Sequence, residues 1–235
     1  MDGNEVHDRW ATRTGAYSPA YYAYYGPNET SDRIRRTLDR VVSYDADVLE
    51  LGCSSGRHLA HLREHGYENL YGVDINDAAF DVMADAYPDL ADAGTFYRSA
   101  IEDVVRDAGD DAFDVVYSVE TLQHLHPEAE WVFDELTRLA ETLLITAETD
   151  ARRATDSNSS AKERADDRPP TTENSTDESE STACETRTVD GIPLYVRDWR
   201  RIFTERGWVE LERDATALEY HTIRAFRSPS PSGID

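Results

Sequence analysis

Lysine is nearly missing from this 235-residue chain: Lys162 is the only one, so almost all of the 24 basic residues are arginine. An excess of positive charge is missing as well, since 48 acidic residues leave a formal net charge of -24. This balance argues against nucleic acid as a substrate, because phosphate binding rests on clustered Lys and Arg. Molar salt would weaken the argument by screening the same attraction. Cysteine is scarce too. Cys53 and Cys184 make no disulfide framework, and a reducing cytoplasm fits them best. No apolar run reaches membrane-spanning length, and Met1 to Glu5 lacks the basic start and apolar core of a secretory signal. The expectation is a cytoplasmic protein with no membrane partner.

What is present is concentrated in Val48-Leu49-Glu50-Leu51-Gly52-Cys53-Ser54-Ser55-Gly56-Arg57-His58. A short apolar strand ends in an acid and passes through a glycine turn into a helix. Gly52 and Gly56 allow a tight turn and a close approach to a ligand, and the helix start offers free N–H groups. Glu50 would repel a phosphate and attract an ammonium group. The spacing is Glu-x-Gly-x-x-x-Gly and not the Gly-x-Gly-x-x-Gly of dinucleotide folds. About twenty residues further on, the strand Leu70-Tyr71-Gly72-Val73 ends in Asp74, placed to accept both hydroxyls of a ribose. Taken alone, Gly52 and Gly56 could be plain turn residues and Asp74 a helix cap.

The pattern resembles the first two motifs of class I S-adenosylmethionine-dependent methyltransferases, whose ligand carries an amino-acid tail and no phosphate. Further similarity follows in chain order. Phe96 to Asp103 is similar to the third strand and loop, where family members commonly place an acid on the adenine amino group and an apolar side chain on its ring. Here Ala100 stands at the acidic position, which leaves Ile101 as the apolar face and Glu102 as the substitute acid. Phe113 to Leu125 is similar to the fourth-strand motif of the small-molecule branch. The resemblance covers 47–147 well and 190–227 more loosely. It implies S-adenosyl-L-methionine as cofactor, held by Glu50, Gly52, Cys53, Ser54, Gly56, Asp74, Ile75, Ala100, Ile101, Glu102, Ser118 and Val119. Glu50 would hold the methionine ammonium through water, and Ser118-Val119 would floor the site.

The implied fold is α/β, a doubly wound, Rossmann-like sheet of seven strands with an N-terminal helical cap. Strands and helices alternate from Asp47 to Ala147, as a parallel sheet covered on both faces requires. Residues 1–45 form an aromatic cap and a helix from Ser31 to about Val42 with Ile34, Leu38, Val41 and Val42 on one face. Residues 46–149 form the cofactor-binding core. The tract 150–188 has almost no large apolar side chain and is expected as a disordered acidic insertion. Residues 189–228 supply a helix over Asp198 to Arg206 and two antiparallel strands that complete the sheet.

Several constellations have two readings. His58, His61 and His65 suggest a metal, but they spread over more than two helical turns without a His-Glu-x-x-His pattern, so a packed or solvated helix face is favoured and no metal is expected. His124 is the candidate general base for an oxygen or nitrogen nucleophile; the resemblance favours the plainer reading, since family members often carry a histidine here that merely orders the turn after the fourth strand. Tyr17, Tyr21, Tyr22, Tyr24 and Tyr25 read as a lid over the ligand or as packing for a helix, with the lid preferred because buried phenols need partners. The acid-coated, lysine-poor surface resembles proteins of organisms that keep molar salt in the cytoplasm, and indicates a halophilic protein. The function expected is methyl transfer to an O, N or C nucleophile of a small molecule. The alternatives are a non-catalytic S-adenosylmethionine-binding regulator and a nicotinamide-dependent oxidoreductase.

Overall fold

The computed structural model describes residues 1–151, 185–211, 216–218 and 221–229. Its main sheet runs β3-β2-β1-β4-β5-β10-β8, formed by β1 (Asp47–Leu51), β2 (Asn69–Asp74), β3 (Thr95–Arg98), β4 (Phe113–Val119), β5 (Ala140–Glu148), β8 (Val209–Glu210) and β10 (Thr222–Arg227). The first five strands are parallel, and β10 lies antiparallel on β5. A short strand β9 (Thr216–Ala217) shares the outer edge of β10 with β8, so seven strand positions are filled. This is the class I methyltransferase arrangement, as the sequence implied.

The central strands read as continuous apolar runs because both faces are covered. Alternation still divides them: Leu49 and Leu51 join Val116, Phe133 and Trp199 in one core, while Val48 joins Val115, Tyr117, Leu59 and Ile34 in the other. The first core is covered by α7 (Ile101–Asp107), α8 (Val132–Leu139) and the C-terminal helix Trp199–Thr204. The second is covered by α3 (Glu29–Val41), α4 (Arg57–Glu64), α5 (Ala79–Ala86) and α6 (Pro88–Ala93).

Helix α3 starts two residues before the expected cap. Asn28 is its N-cap, and Ser31 closes a capping box by accepting the Asn28 N–H. Ile34 and Leu38 are buried as expected, Val41 and Val42 only partly. The helical segment before β5 is split, with a 3-10 turn at Pro127–Ala129 ahead of α8.

Two further helices precede α3, namely α1 (Gly3–Ala11) and α2 (Pro19–Tyr25). They lie across the carboxyl ends of the parallel strands. A second, two-stranded sheet joins β6 (Glu185–Val189) to β7 (Ile192–Val196). Asp190 and Gly191 between them both have positive φ, 50° and 78°, as a two-residue hairpin loop of Asp-Gly type demands. This dipeptide was the available signal for the hairpin, and it places ordered strand from Glu185 onward, inside the tract expected as insertion. Asp150, at the other end of that tract, is 1% exposed and accepts from Arg224 Nε at 2.6 Å. Residues 152–184 of the expected insertion lie outside the described residues. Among the described residues no helix is long and apolar enough to cross a membrane.

Candidate active site

One cleft lies where β1, β2 and β4 end, and α1 and α2 form its roof. Its floor is the glycine turn. Gly52, Ser54 and Gly56 all have positive φ, 68°, 53° and 78°, which winds the chain from β1 into α4 in five residues. Cys53 N–H donates to the Val73 carbonyl at 2.9 Å, tying the turn to β2. A Cβ on Gly52 would meet Thr121 at 2.3 Å, so glycine is needed there for space as well as for conformation.

Two acids flank this turn. Glu50 is 1% exposed and accepts the Tyr117 hydroxyl at 2.9 Å. Burial pushes its carboxyl up to about 8, against the pull of Tyr117 and Arg57. Asp74 accepts the N–H groups of Ser54 and Asn76, each at 2.7 Å. Burial raises its pKa while those two bonds lower it. Each Asp74 oxygen keeps a further lone pair for a ligand hydroxyl.

The second wall is the turn after β4, formed by Val119, Glu120, Thr121, His124 and Leu125. A carboxylate that the sequence reading overlooked builds this turn. Glu148, at the end of β5, accepts the Ser118 hydroxyl and the N–H groups of Thr121, Leu122 and Gln123 at 3.2, 3.1 and 3.3 Å. Burial lifts its pKa to about 7. Arg197, just after β7, reaches in and donates to the carbonyls of Leu122 and Leu125 at 3.2 and 2.7 Å. Ser118 is therefore not a floor residue of the cleft: it is 1% exposed and its hydroxyl turns to Glu148. The acid closing an apolar strand, as Glu50 closes β1, was the signal that could have found Glu148.

His124 faces the cleft with a fixed tautomer. Its Nδ1–H donates to the Pro193 carbonyl at 2.9 Å; a carbonyl can only accept, so Nε2 carries the lone pair. Burial lowers its pKa, keeping the ring neutral. Trp10 of α1 packs against it at 4.9 Å between ring centroids.

The roof is pinned beside the ends of β2 and β3. His7 Nε2 meets the Glu102 carboxylate at 3.1 Å, and Asn76 Nδ2 donates to the carbonyls of Trp10 and Arg13 at 2.8 and 3.1 Å. Ile75, Ala100, Ile101 and Glu102 all line the cleft there, as do Cys53 and Ser54 at its floor. Gly56 caps α4 beneath, with Met83 and Leu90 where its Cβ would go. Tyr17 and Tyr22 line the roof, with the Arg57 Cζ over the Tyr22 ring at 4.6 Å from its centroid. Tyr24 and Tyr25 do not take part and are 85% and 61% exposed. Of the helix histidines, His58 is buried and bonded to Ser31, whereas His61 and His65 lie against each other with ring centroids 4.3 Å apart.

The cleft and its sheet have counterparts of known kind. Residues 48–142 match the family described as a methyltransferase domain. The segment begins in β1 and ends in β5, so it contains the glycine turn, Asp74, Ile101 and His124. Among solved structures, the PH0226 protein from Pyrococcus horikoshii superposes with a TM-score of 0.62 at 17% identity, over 91% of this chain and 95% of that one. Magnesium protoporphyrin IX methyltransferase from Synechocystis, solved with bound SAH, gives 0.61 at 16% identity over 96% and 98%. A putative methyltransferase from Haloferax volcanii, solved with the Trm112 methyltransferase activator, gives 0.59 at 17% identity over 99% and 100%. No curated protein matches the sequence. At these identities the structures establish a shared fold.

Proposed function

We propose that the methyltransferase domain takes S-adenosylmethionine into this cleft and passes its methyl group to an oxygen, nitrogen or carbon nucleophile of a small molecule. The observation that carries the reading is the convergence of Glu50, Gly52 and Asp74 on one floor beneath a roof that α1 and α2 close. The donor set fits the ligand: a buried carboxyl for an ammonium group, a second one for ribose hydroxyls, a turn with no Cβ where the backbone must come close, and Ile101 as an apolar face. The cofactor supplies a methyl group on a sulfonium, an electrophile that needs no covalent help from the protein.

The chain's own part is then positioning, which recovers much of the barrier as entropy. Glu50 and Asp74 fix the two ends of the bound nucleoside. The turn held by Glu148 and Arg197 presents His124, whose Nε2 lone pair can take a proton from a hydroxyl or amine as the methyl arrives. Trp10, Tyr17 and Tyr22 roof the cleft and exclude water, and a roof this close suits a small acceptor better than a polymer.

Calorimetric titration with S-adenosylmethionine and S-adenosylhomocysteine in molar potassium chloride tests the reading. Binding of both at one site per chain is expected. Absence of binding by either would remove the cofactor assignment.

A further inference from the structure

The hairpin of β6 and β7 holds the cleft at two places. At its tip, Asp190 accepts from Arg13 Nη2 at 2.7 Å and the Gly191 carbonyl accepts from Arg9 Nη1 at 2.9 Å. Arg9 lies in α1 and Arg13 just past its end, so both bonds fasten the roof. Further along, the Pro193 carbonyl accepts from His124 Nδ1, and Arg197 donates to the carbonyls of Leu122 and Leu125 in the same turn.

Side chains join these two anchorages into a closed circuit. Arg13 Nε donates to the Ala16 carbonyl at 2.8 Å, and with Asp190 on Nη2 the guanidinium is held from two sides. Its Cζ lies 5.9 Å from the Trp10 ring centroid and 5.7 Å from that of Tyr17, within reach of a cation–π contact with each. Trp10 in turn lies against His124, with ring centroids 4.9 Å apart. The path from Asp190 through Arg13, Trp10 and His124 to Pro193 leaves the hairpin and returns to it.

The state of the His124 ring depends on this cover. Burial lowers its pKa, the Pro193 bond and the Glu120 charge oppose that effect, and the Arg197 charge assists it. Glu120 is itself met by His221 Nδ1 at 3.4 Å. With an acid facing it, the ring stays neutral because it stays covered. The Arg13–Asp190 pair has side chains 17% and 53% exposed, and a pair so open to water adds little to overall stability. Its effect belongs at the ring that Trp10 covers.

We propose that Arg13 and Asp190 are positioning residues for methyl transfer: they hold Trp10 against His124, so that one hairpin fixes both the proton arrangement of the candidate base and the cover over it. This rests on the reading of His124 as the base and deepens it.

The test follows the His124 ring by nuclear magnetic resonance, using the full chain labelled at its seven histidines. The His124 signal is assigned by its absence from His124→Gln. The chain is titrated with acid at fixed potassium chloride as parent, Arg13→Gln, Asp190→Gly and the double variant. Asp190→Gly removes the carboxylate and keeps a loop residue that accepts positive φ. The His124 pKa should rise by roughly half a unit or more in each single variant, and no further in the double, with the melting temperature nearly unchanged. In Asp190→Gly that rise runs against the direct effect of charge, since losing a nearby acid lowers a histidine pKa. An unchanged or lowered pKa in Asp190→Gly would overturn the proposal, whatever happens to the melting temperature. Additive rises in the double variant would overturn it too, because the two side chains would then act separately. The titration contains no cofactor, so a failure of S-adenosylmethionine to bind in calorimetry would remove the methyltransferase reading and leave this result distinct.

Discussion

Gly52 and Thr121 divide a single space between the first and fourth strands: a Cβ on the glycine would lie 2.3 Å from both Oγ1 and Cγ2 of the threonine. The glycine also stands at φ 68°, where a Cβ costs about 1–2 kcal/mol. Gly52→Ala should therefore push the β4 turn away from the cofactor floor and weaken S-adenosylmethionine binding by roughly tenfold or more. Adding Thr121→Gly should return part of that loss, because it clears the clash and leaves only the backbone strain. A double-mutant cycle read by calorimetry gives the coupling. Additive losses would mean that the two positions do not compete.

His124 gives the second prediction. In the proposed reaction its neutral ring, with the lone pair on Nε2, is the form that can act as base, and burial lowers its pKa from the usual 6.5. Transfer by the parent should stay flat as pH falls through 6.5 and decline only below it. His124→Gln should lower the turnover roughly 100-fold and remove that acid limb, with cofactor affinity unchanged. A variant that transfers normally but melts earlier would assign the ring to holding the turn.

Glu50 links pH to both stability and binding. Its carboxyl ionises near 4.5 when unfolded and at about 8 when folded. Between those values the unfolded chain gives up a proton that the folded chain keeps, so this group's contribution to stability is lost as pH rises through the window. Glu50→Gln should melt close to the parent at pH 5 and roughly 5 °C or more above it at pH 9. Binding runs the other way. An ammonium ligand favours the ionised carboxyl, so the parent's affinity for S-adenosylhomocysteine should climb toward pH 8 with release of a proton, and the variant's should not. Buffers of differing ionisation enthalpy measure that proton directly.

Salt provides the fourth. With a formal net charge of -24, repulsion among carboxylates grows as counter-ions are removed. The melting temperature should fall as potassium chloride is diluted from molar to about 0.1 M, where the Debye length reaches ~10 Å. A flat or rising curve would show that the acidic surface does not depend on screening.

The glycine turn, Asp74 and the fourth strand were readable because each is a local pattern in which neighbours in sequence are neighbours in space. The sheet was readable for the same reason, its strands being short apolar runs between helices. Glu148, Arg197 and His221 were not. Each acts on a turn or side chain far away in the sequence, and nothing beside it in the chain marks its partner. His7 escaped notice similarly, since its partner Glu102 lies 95 residues further along the chain. Ser118 was assigned to the cleft by analogy, and the buried carboxylate that claims its hydroxyl comes from the next strand.

The hydrogen bond that fixes the His124 tautomer comes from the main chain of β7 at Pro193. Every amino acid carries a carbonyl, so replacing the residue there leaves the acceptor in place as long as the strand keeps its course. The protonation pattern of the candidate base is in this way insulated from sequence drift in the hairpin. A column of aligned side chains would pass over it, and two relatives could share this proton arrangement with no letter in common at that position.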